Sequence, residues 1–331
     1  MAKQPSVTVI CPVFNEEKTI PLFFERINKV FDGLRDRFEL SLLFVDNGSQ
    51  DLTPAILRQL RSRFPFVYHI ALSRNFGYQA SVECGLRHAQ GDLFVIIDVD
   101  CEDPPEMIPE FLRLWKDGYD VVYGERLDRE EARLMILLRK AFYRIARLSA
   151  DDFFVLDMAE FSLLTSEVRD AILEDNNSFP FIRSSIGRLG FHRKNIPYKR
   201  GRRVAGETHY NLWRMAIFAT AGILSSSTLL LRLPGYLFPF WLVLLMGVGV
   251  AGIAGAAWAV PGVLVLGFGF CGFSLASLCI YSARIYKNGL LRPNFVVRKN
   301  ESALQPTRER AANTYSRPEI RGREGRPELN N

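Results

Sequence analysis

A strand-length apolar run, Leu93-Phe94-Val95-Ile96-Ile97, ends in Asp98-Val99-Asp100-Cys101-Glu102-Asp103-Pro104-Pro105. Carboxylate oxygens are hard ligands. Massed at a strand end they suit a divalent cation and, through it, a diphosphate. Alternate residues of an extended chain share a face, so continued extension would project Asp98, Asp100 and Glu102 together. The competing reading is an acidic turn that caps the next helix. Two other apolar runs also end in polar groups. The first opens into Cys11-Pro12-Val13-Phe14-Asn15-Glu16-Glu17 and the second into Val45-Asp46-Asn47-Gly48-Ser49-Gln50-Asp51. Alone, Asn15 or Glu16 reads as a helix cap and Asp46 as a turn former.

Positioning three such ends together needs a particular architecture. Strands are expected at 7–11, 40–45, 67–72, 93–98 and 120–124, separated by helices near 17–34, 54–63, 78–89 and 105–116. Thr53-Pro54 and Pro104-Pro105 place proline where a first helical turn accepts it. This alternation predicts an α/β fold with a mainly parallel sheet covered on both faces. Open sheets of this kind bind ligands beyond the carboxyl ends of their strands. No G-x-G-x-x-G follows the first strand and no G-x-x-x-x-G-K-[ST] occurs, which removes the main evidence for simple dinucleotide and P-loop readings.

The chain has 331 residues, 48% of them hydrophobic, and the excess lies at 233–283, a stretch without a charge. One helix of that length would far exceed a hydrocarbon core of roughly 30 Å. Two transmembrane helices are expected, about 235–257 and 263–282, turning at Val260-Pro261-Gly262. Arg200, Arg202, Arg203, Arg214 and Arg232 precede them, and Arg284, Lys287, Arg292, Arg298 and Lys299 follow. The positive-inside rule puts both ends in the cytoplasm of an integral membrane protein of the bacterial inner membrane or its equivalent. The start of the chain resembles a first strand more than a signal peptide. The net charge of +6 suits an anionic leaflet, and no nucleic-acid partner is expected. The segment 132–148 reads as a basic amphipathic helix at the membrane interface, and 301–331 as a disordered tail. The organisation expected is a catalytic domain at 1–205, a juxtamembrane segment at 206–232, the hairpin at 233–283 and a strand-like segment at 284–300 before that tail. Five cysteines without a C-x-x-C pair indicate neither a disulfide framework nor a zinc site.

With Arg74-Asn75-Phe76-Gly77, Gly124-Glu125-Arg126 and Arg203-Val204-Ala205-Gly206-Glu207-Thr208-His209-Tyr210, the whole pattern resembles family 2 glycosyltransferases of the GT-A fold. Within them it is similar to the dolichol-phosphate mannose synthase and bactoprenol-phosphate glucosyltransferase group. The resemblance implies a UDP- or GDP-sugar held by Pro12, Phe14, Glu16, Val45, Asp46 and Val99, with Arg126, Arg203 and His209 meeting the phosphates. A carboxylate such as Asp46 accepts from a ring N–H of either uracil or guanine. Asp98, Asp100 and Glu102 would hold Mg2+ or Mn2+. The family commonly has glutamine where Glu102 stands and lysine where His209 stands; His69, His88 and His192 match no family position. Ser149-Ala150-Asp151-Asp152-Phe153-Phe154 falls where relatives carry Gly-Asp-Phe, making Asp152 the catalytic candidate with Asp151 and Asp157 as rivals. The implied reaction is an inverting displacement onto a polyprenyl phosphate, whose phosphate Arg139 or Lys140 would receive.

A processive polysaccharide synthase would share the catalytic fold but have more membrane helices and a Q-x-x-R-W motif. Residues 181–191 occupy the corresponding place without tryptophan. A membrane-anchored binding protein that has lost activity is the non-enzymatic alternative. A homo-oligomer is expected, because Gly247, Ala251 and Gly255 form a small-residue stripe and 292–297 is strand-like enough to pair with a neighbouring catalytic domain. The stripe could instead pack on the second helix at Gly267, Cys271 and Gly272.

Overall fold

The computed structural model describes residues 4–127, 158–174, 182–201, 228–290 and 292–306. Asp151, Asp152, Asp157, Arg203, His209, Arg139 and Lys140 lie outside the described residues, as does the chain beyond 306.

Apolar runs form strands here because both of their faces are covered. β1 (Ser6–Val13) is buried along its whole length. It lies between β2 (Glu39–Asp46) and β4 (Leu93–Ile96), parallel to both. β3 (Val67–Ala71) extends the parallel set beyond β2. On the other side β6 (Met158–Thr165) runs antiparallel to β4 and to β5 (Val121–Arg126), and β7 (Arg193–Tyr198) pairs in parallel with β5. The sheet order is β3-β2-β1-β4-β6-β5-β7. The expected mainly parallel α/β architecture is therefore present.

Helices α1 (Ile20–Asp32), α2 (Thr53–Arg63), α3 (Tyr78–His88) and α4 (Ile108–Lys116) connect the strands. α5 (Ser166–Leu173) and α6 (Ile182–Leu189) follow β6. One core gathers Phe23, Phe44, Phe111 and Phe161, and the other gathers Ile10, Leu86, Phe94 and Leu164. The sequence does not announce β7, because Arg-Lys-Asn-Ile-Pro-Tyr is an edge strand with one buried residue and a proline.

Strand direction fixes the site. β5 and β7 are each reached from β4 through the antiparallel β6, so their carboxyl ends share an edge with those of β1, β2 and β4. The amino end of β6 joins the same edge.

After the domain, α7 (Leu229–Ile253) and α8 (Ala259–Gly289) are long and apolar enough to cross a membrane. Their turn is not at Val260-Pro261-Gly262. It spans 254–258, where Gly255 takes a left-handed φ of 90°, and Pro261 sits in the first turn of α8, which a missing N–H does not disturb. Gly255 thus leaves the proposed stripe, and no atom would come within 4 Å of a Cβ at Gly247, Gly267 or Gly272. The two helices meet instead through Trp241 stacked on Phe270 at 4.6 Å and a Trp241 Nε1 bond to the Leu266 carbonyl at 3.1 Å.

The strand-like stretch after α8 docks on the sheet of its own chain. Leu72 bridges Val297 and His69 bridges Ala303, both antiparallel, so residues 292–306 form a strap along the edge of β3. Ser302 Oγ accepts from Ala71 N at 2.9 Å, and the Gln305 side chain bonds Gln90 N at 2.8 Å and Thr8 Oγ1 at 3.1 Å. The first residues of the expected disordered tail are therefore part of the domain. The strap supplies the edge strand with hydrogen-bond partners it would otherwise lack.

Candidate active site

Beyond β1 and β2 the two loops are stitched together. Asn15 adopts φ 55°; its N–H donates to Ser49 Oγ at 2.9 Å and its Oδ1 accepts from Gln50 N at 2.8 Å. Asn tolerates this conformation better than most residues. Asp46, buried, accepts from Ser49 N at 2.9 Å and is the turn former that the local reading allowed. Burial pushes its carboxyl above the usual range, opposed by the Ser49 hydrogen bonds. Gly48 has φ 77°, and a Cβ there would lie 2.7 Å from the Arg74 backbone. Only glycine lets the Arg74-Asn75 loop come this close. Asn47 fastens that loop by donating to Asn75 Oδ1 at 3.1 Å and accepting from Phe76 N at 2.9 Å.

Among the residues expected to hold the nucleotide, Phe14, just beyond β1, is 41% exposed. Pro12, Val45 and Val99 are buried, Val45 and Val99 in the two different cores. Glu16 accepts from Thr19 Oγ1 at 2.5 Å.

The acidic loop departs from its expected course. β4 ends at Ile96, and the backbone turns through Val99 and Asp100 to Cys101, whose φ is 62°. A left-handed cysteine costs on the order of 1–3 kcal/mol, so the surroundings must hold it. Extended alternation therefore stops before Glu102. Asp98 Oδ1 accepts from Tyr78 OH at 2.8 Å, and Asp100 Oδ1 accepts from Glu102 N at 3.0 Å. Burial, reinforced by Asp100 and opposed by the Tyr78 hydrogen bond, pushes the Asp98 carboxyl up to about 7.

Residues that sequence reasoning missed complete the loop. Asp103 is wholly buried; it accepts from Tyr198 OH and pairs with Arg126 Nη2 at 3.5 Å. Tyr198 reaches it by crossing Gly124, where a Cβ would lie 2.5 Å from the tyrosine ring. Arg200 then spans three acids, with Nη1 2.5 Å from Glu102, Nε 3.6 Å from Asp103 and Nη2 4.0 Å from Asp100. Arg126, expected to meet a phosphate, rests against Asp103 and Tyr198. Its guanidinium is raised by Asp103 although burial opposes this. On β6 the buried Glu160 receives Arg183 at 2.8 Å and Gln79 at 3.0 Å. The missing signal was β7: once it is paired with β5, Tyr198 and Arg200 must emerge beside Arg126.

Among the described residues no three His, Cys, Asp or Glu side chains form a ready cage for a metal. The donor chemistry still fits Mg2+ or Mn2+. Such ions are commonly held by one or two carboxylates, with substrate phosphates and water completing the shell. Burial first, and then the charges of Asp100, Asp103 and Glu160, raise the Asp98 carboxyl, and a cation would offset the share due to those charges.

A family model described as Glycosyl transferase family 2 matches residues 8–167. The chain is 33% identical to an uncharacterized glycosyltransferase, YkcC, of Bacillus subtilis (strain 168), covering 91% of this chain and 95% of that protein. It is 31% identical to the bactoprenol glucosyl transferase of Shigella phage SfV, covering 89% of this chain and 98% of the relative. Among solved structures, the mannosyltransferase PcManGT from Pyrobaculum calidifontis, in complex with GDP-Man and Mn2+, gives a TM-score of 0.41 at 20% identity over 87% of each chain. On its sequence relationship to these transferases over nearly its full length, the chain belongs to glycosyl transferase family 2.

Proposed function

We propose that this protein transfers a sugar from a UDP- or GDP-sugar to a polyprenyl phosphate at a membrane surface. The observation that carries this is one chain in which an acid loop lies at the carboxyl edge of a parallel sheet and two apolar helices follow, the chain then returning to that sheet. The bactoprenol glucosyl transferase relative supports the acceptor class.

Phe14 and Asp46, at the carboxyl ends of β1 and β2, are proposed to hold base and ribose, and Asp98, Asp100 and Glu102 to hold Mg2+ or Mn2+. When bound, that cation would supply positive charge to the departing diphosphate. A phosphate monoester is largely dianionic at neutral pH and can attack the anomeric carbon directly. In that single displacement the acceptor oxygen forms the new C–O bond as the bond to the nucleoside diphosphate breaks, and the configuration inverts. Asp152, with Asp151 and Asp157 as alternatives, is proposed to orient the acceptor, and Arg139 or Lys140 to receive its phosphate. Arg126, Arg203 and His209 are proposed to meet the donor phosphates. The smooth outer surface at Gly247 on α7 is proposed to support self-association.

The test uses full-length protein in nanodiscs with Mn2+, undecaprenyl phosphate and a panel of UDP- and GDP-sugars. Formation of a lipid-linked sugar phosphate of inverted anomeric configuration, lost in Asp98→Asn, is expected. Consumption of no nucleotide sugar, or transfer only to soluble acceptors, would refute the reading.

A further inference from the structure

We propose that Arg200 makes cation binding at the acid loop depend on the diphosphate. The inference rests on the glycosyltransferase reading above and goes beyond it by assigning a role to a residue outside the expected site. Asp103 already has the Tyr198 hydroxyl and Arg126, so what Arg200 adds is its hold on Glu102 at 2.5 Å and its approach to Asp100 at 4.0 Å. These are carboxylates that would face a cation. The placement is built in. β7 delivers Tyr198 beside Arg126, and Gly201 N donates to the Glu102 carbonyl at 2.8 Å, holding the backbone next to Arg200 against the acid loop.

A guanidinium and a divalent cation compete for the same carboxylate oxygens and repel each other at short range. A cation arriving alone must displace Arg200 or sit against its charge. A diphosphate changes that balance, because its oxygens match the planar fork of a guanidinium. Arg200, with its side chain 34% exposed, can exchange carboxylate for phosphate and leave the acids to the cation. Cation and diphosphate then reinforce each other, and linkage makes the two effects equal. The site stays closed to free metal and admits it together with the donor.

The experiment measures Mn2+ binding to the full-length protein in nanodiscs by the loss of the free-ion electron paramagnetic resonance signal, with and without UDP or GDP. The wild type should bind Mn2+ weakly alone and more tightly with one of the nucleotides. Arg200→Gln should bind Mn2+ alone about fivefold or more tightly than wild type, and the factor by which the nucleotide tightens Mn2+ should shrink correspondingly. Simple damage to the loop would weaken Mn2+ binding instead, so the direction of change separates the two. Arg200→Lys keeps the charge and loses the fork; it should bind nucleotide-free Mn2+ as weakly as wild type but show reduced coupling. If Arg200→Gln leaves nucleotide-free Mn2+ affinity unchanged or weaker, or Arg200→Lys tightens it equally, the inference fails while the transferase reading stands. A wild type that binds no Mn2+ with either nucleotide would overturn both.

Discussion

Asp98 shows how one position can be readable by type and unreadable by state. An acid at a strand's carboxyl end was evident from the chain alone, whereas its partly buried place beside Asp100 and its bond from Tyr78 needed the fold. A carboxyl pushed up to about 7 keeps its proton in the folded state at pH values where the unfolded chain has lost it. Its contribution to stability therefore falls as pH rises from about 4 through 7. In chelator, denaturant titrations should show Asp98→Asn gaining on wild type as pH is raised from about 5 to 8, by at most about 1.4 kcal/mol per unit. A difference that stays constant across that window would refute the assignment. Tyr198→Phe tests the neighbouring Asp103. It removes a hydroxyl donor from a wholly buried carboxylate and should cost about 1–3 kcal/mol in the same titration. Glu102, where the resembled family commonly has glutamine, is the acid that Arg200 approaches most closely, so its extra charge is matched locally.

The elements readable in advance were those whose pattern is strong, because β1, β2 and β4 are mostly apolar, β1 and β4 buried at every position and β2 from Leu42 onward. β6 is equally buried, but Glu160 interrupts its run and Arg183, which neutralises it, lies on a different element. The strap was legible as strand-like, yet its partner was not, since pairing with β3 of the same chain or of a neighbour leaves the same local pattern. The bridges at His69 and Leu72 join it to β3 of the same chain. Ser302→Ala should leave Ala71 N without its side-chain acceptor, costing about 1 kcal/mol. Amide exchange should accelerate at His69 and Ala71 and stay unchanged at Ile10 in the sheet centre. Equal acceleration at both places would mean that the strap carries global stability and is not a local clamp.

On the scale of the whole molecule, hairpin and strap constrain each other. At 1.5 Å per residue α7 is about 38 Å long and α8 about 46 Å, each longer than a hydrocarbon core of roughly 30 Å. The surplus lies at the end where the charges are, with Arg232 near the start of α7 and Arg284 and Lys287 near the end of α8. The turn at 254–258 has no charge. Because the strap returns to β3, an odd number of crossings would place the strap and the sheet it pairs with on opposite sides of the membrane. For a hairpin that crosses the membrane, the positive-inside rule would put both in the cytoplasm, which is the arrangement we propose. In intact bacteria a membrane-impermeant maleimide should label Ala256→Cys, in the turn, without permeabilisation. Leu304→Cys, exposed on the strap, should react only after the membrane is opened. The native Cys11, Cys84 and Cys101 are buried in the α/β domain and should contribute little background. Labelling of Leu304→Cys from outside, or of both positions only after permeabilisation, would rule out a membrane-crossing hairpin with a cytoplasmic catalytic domain.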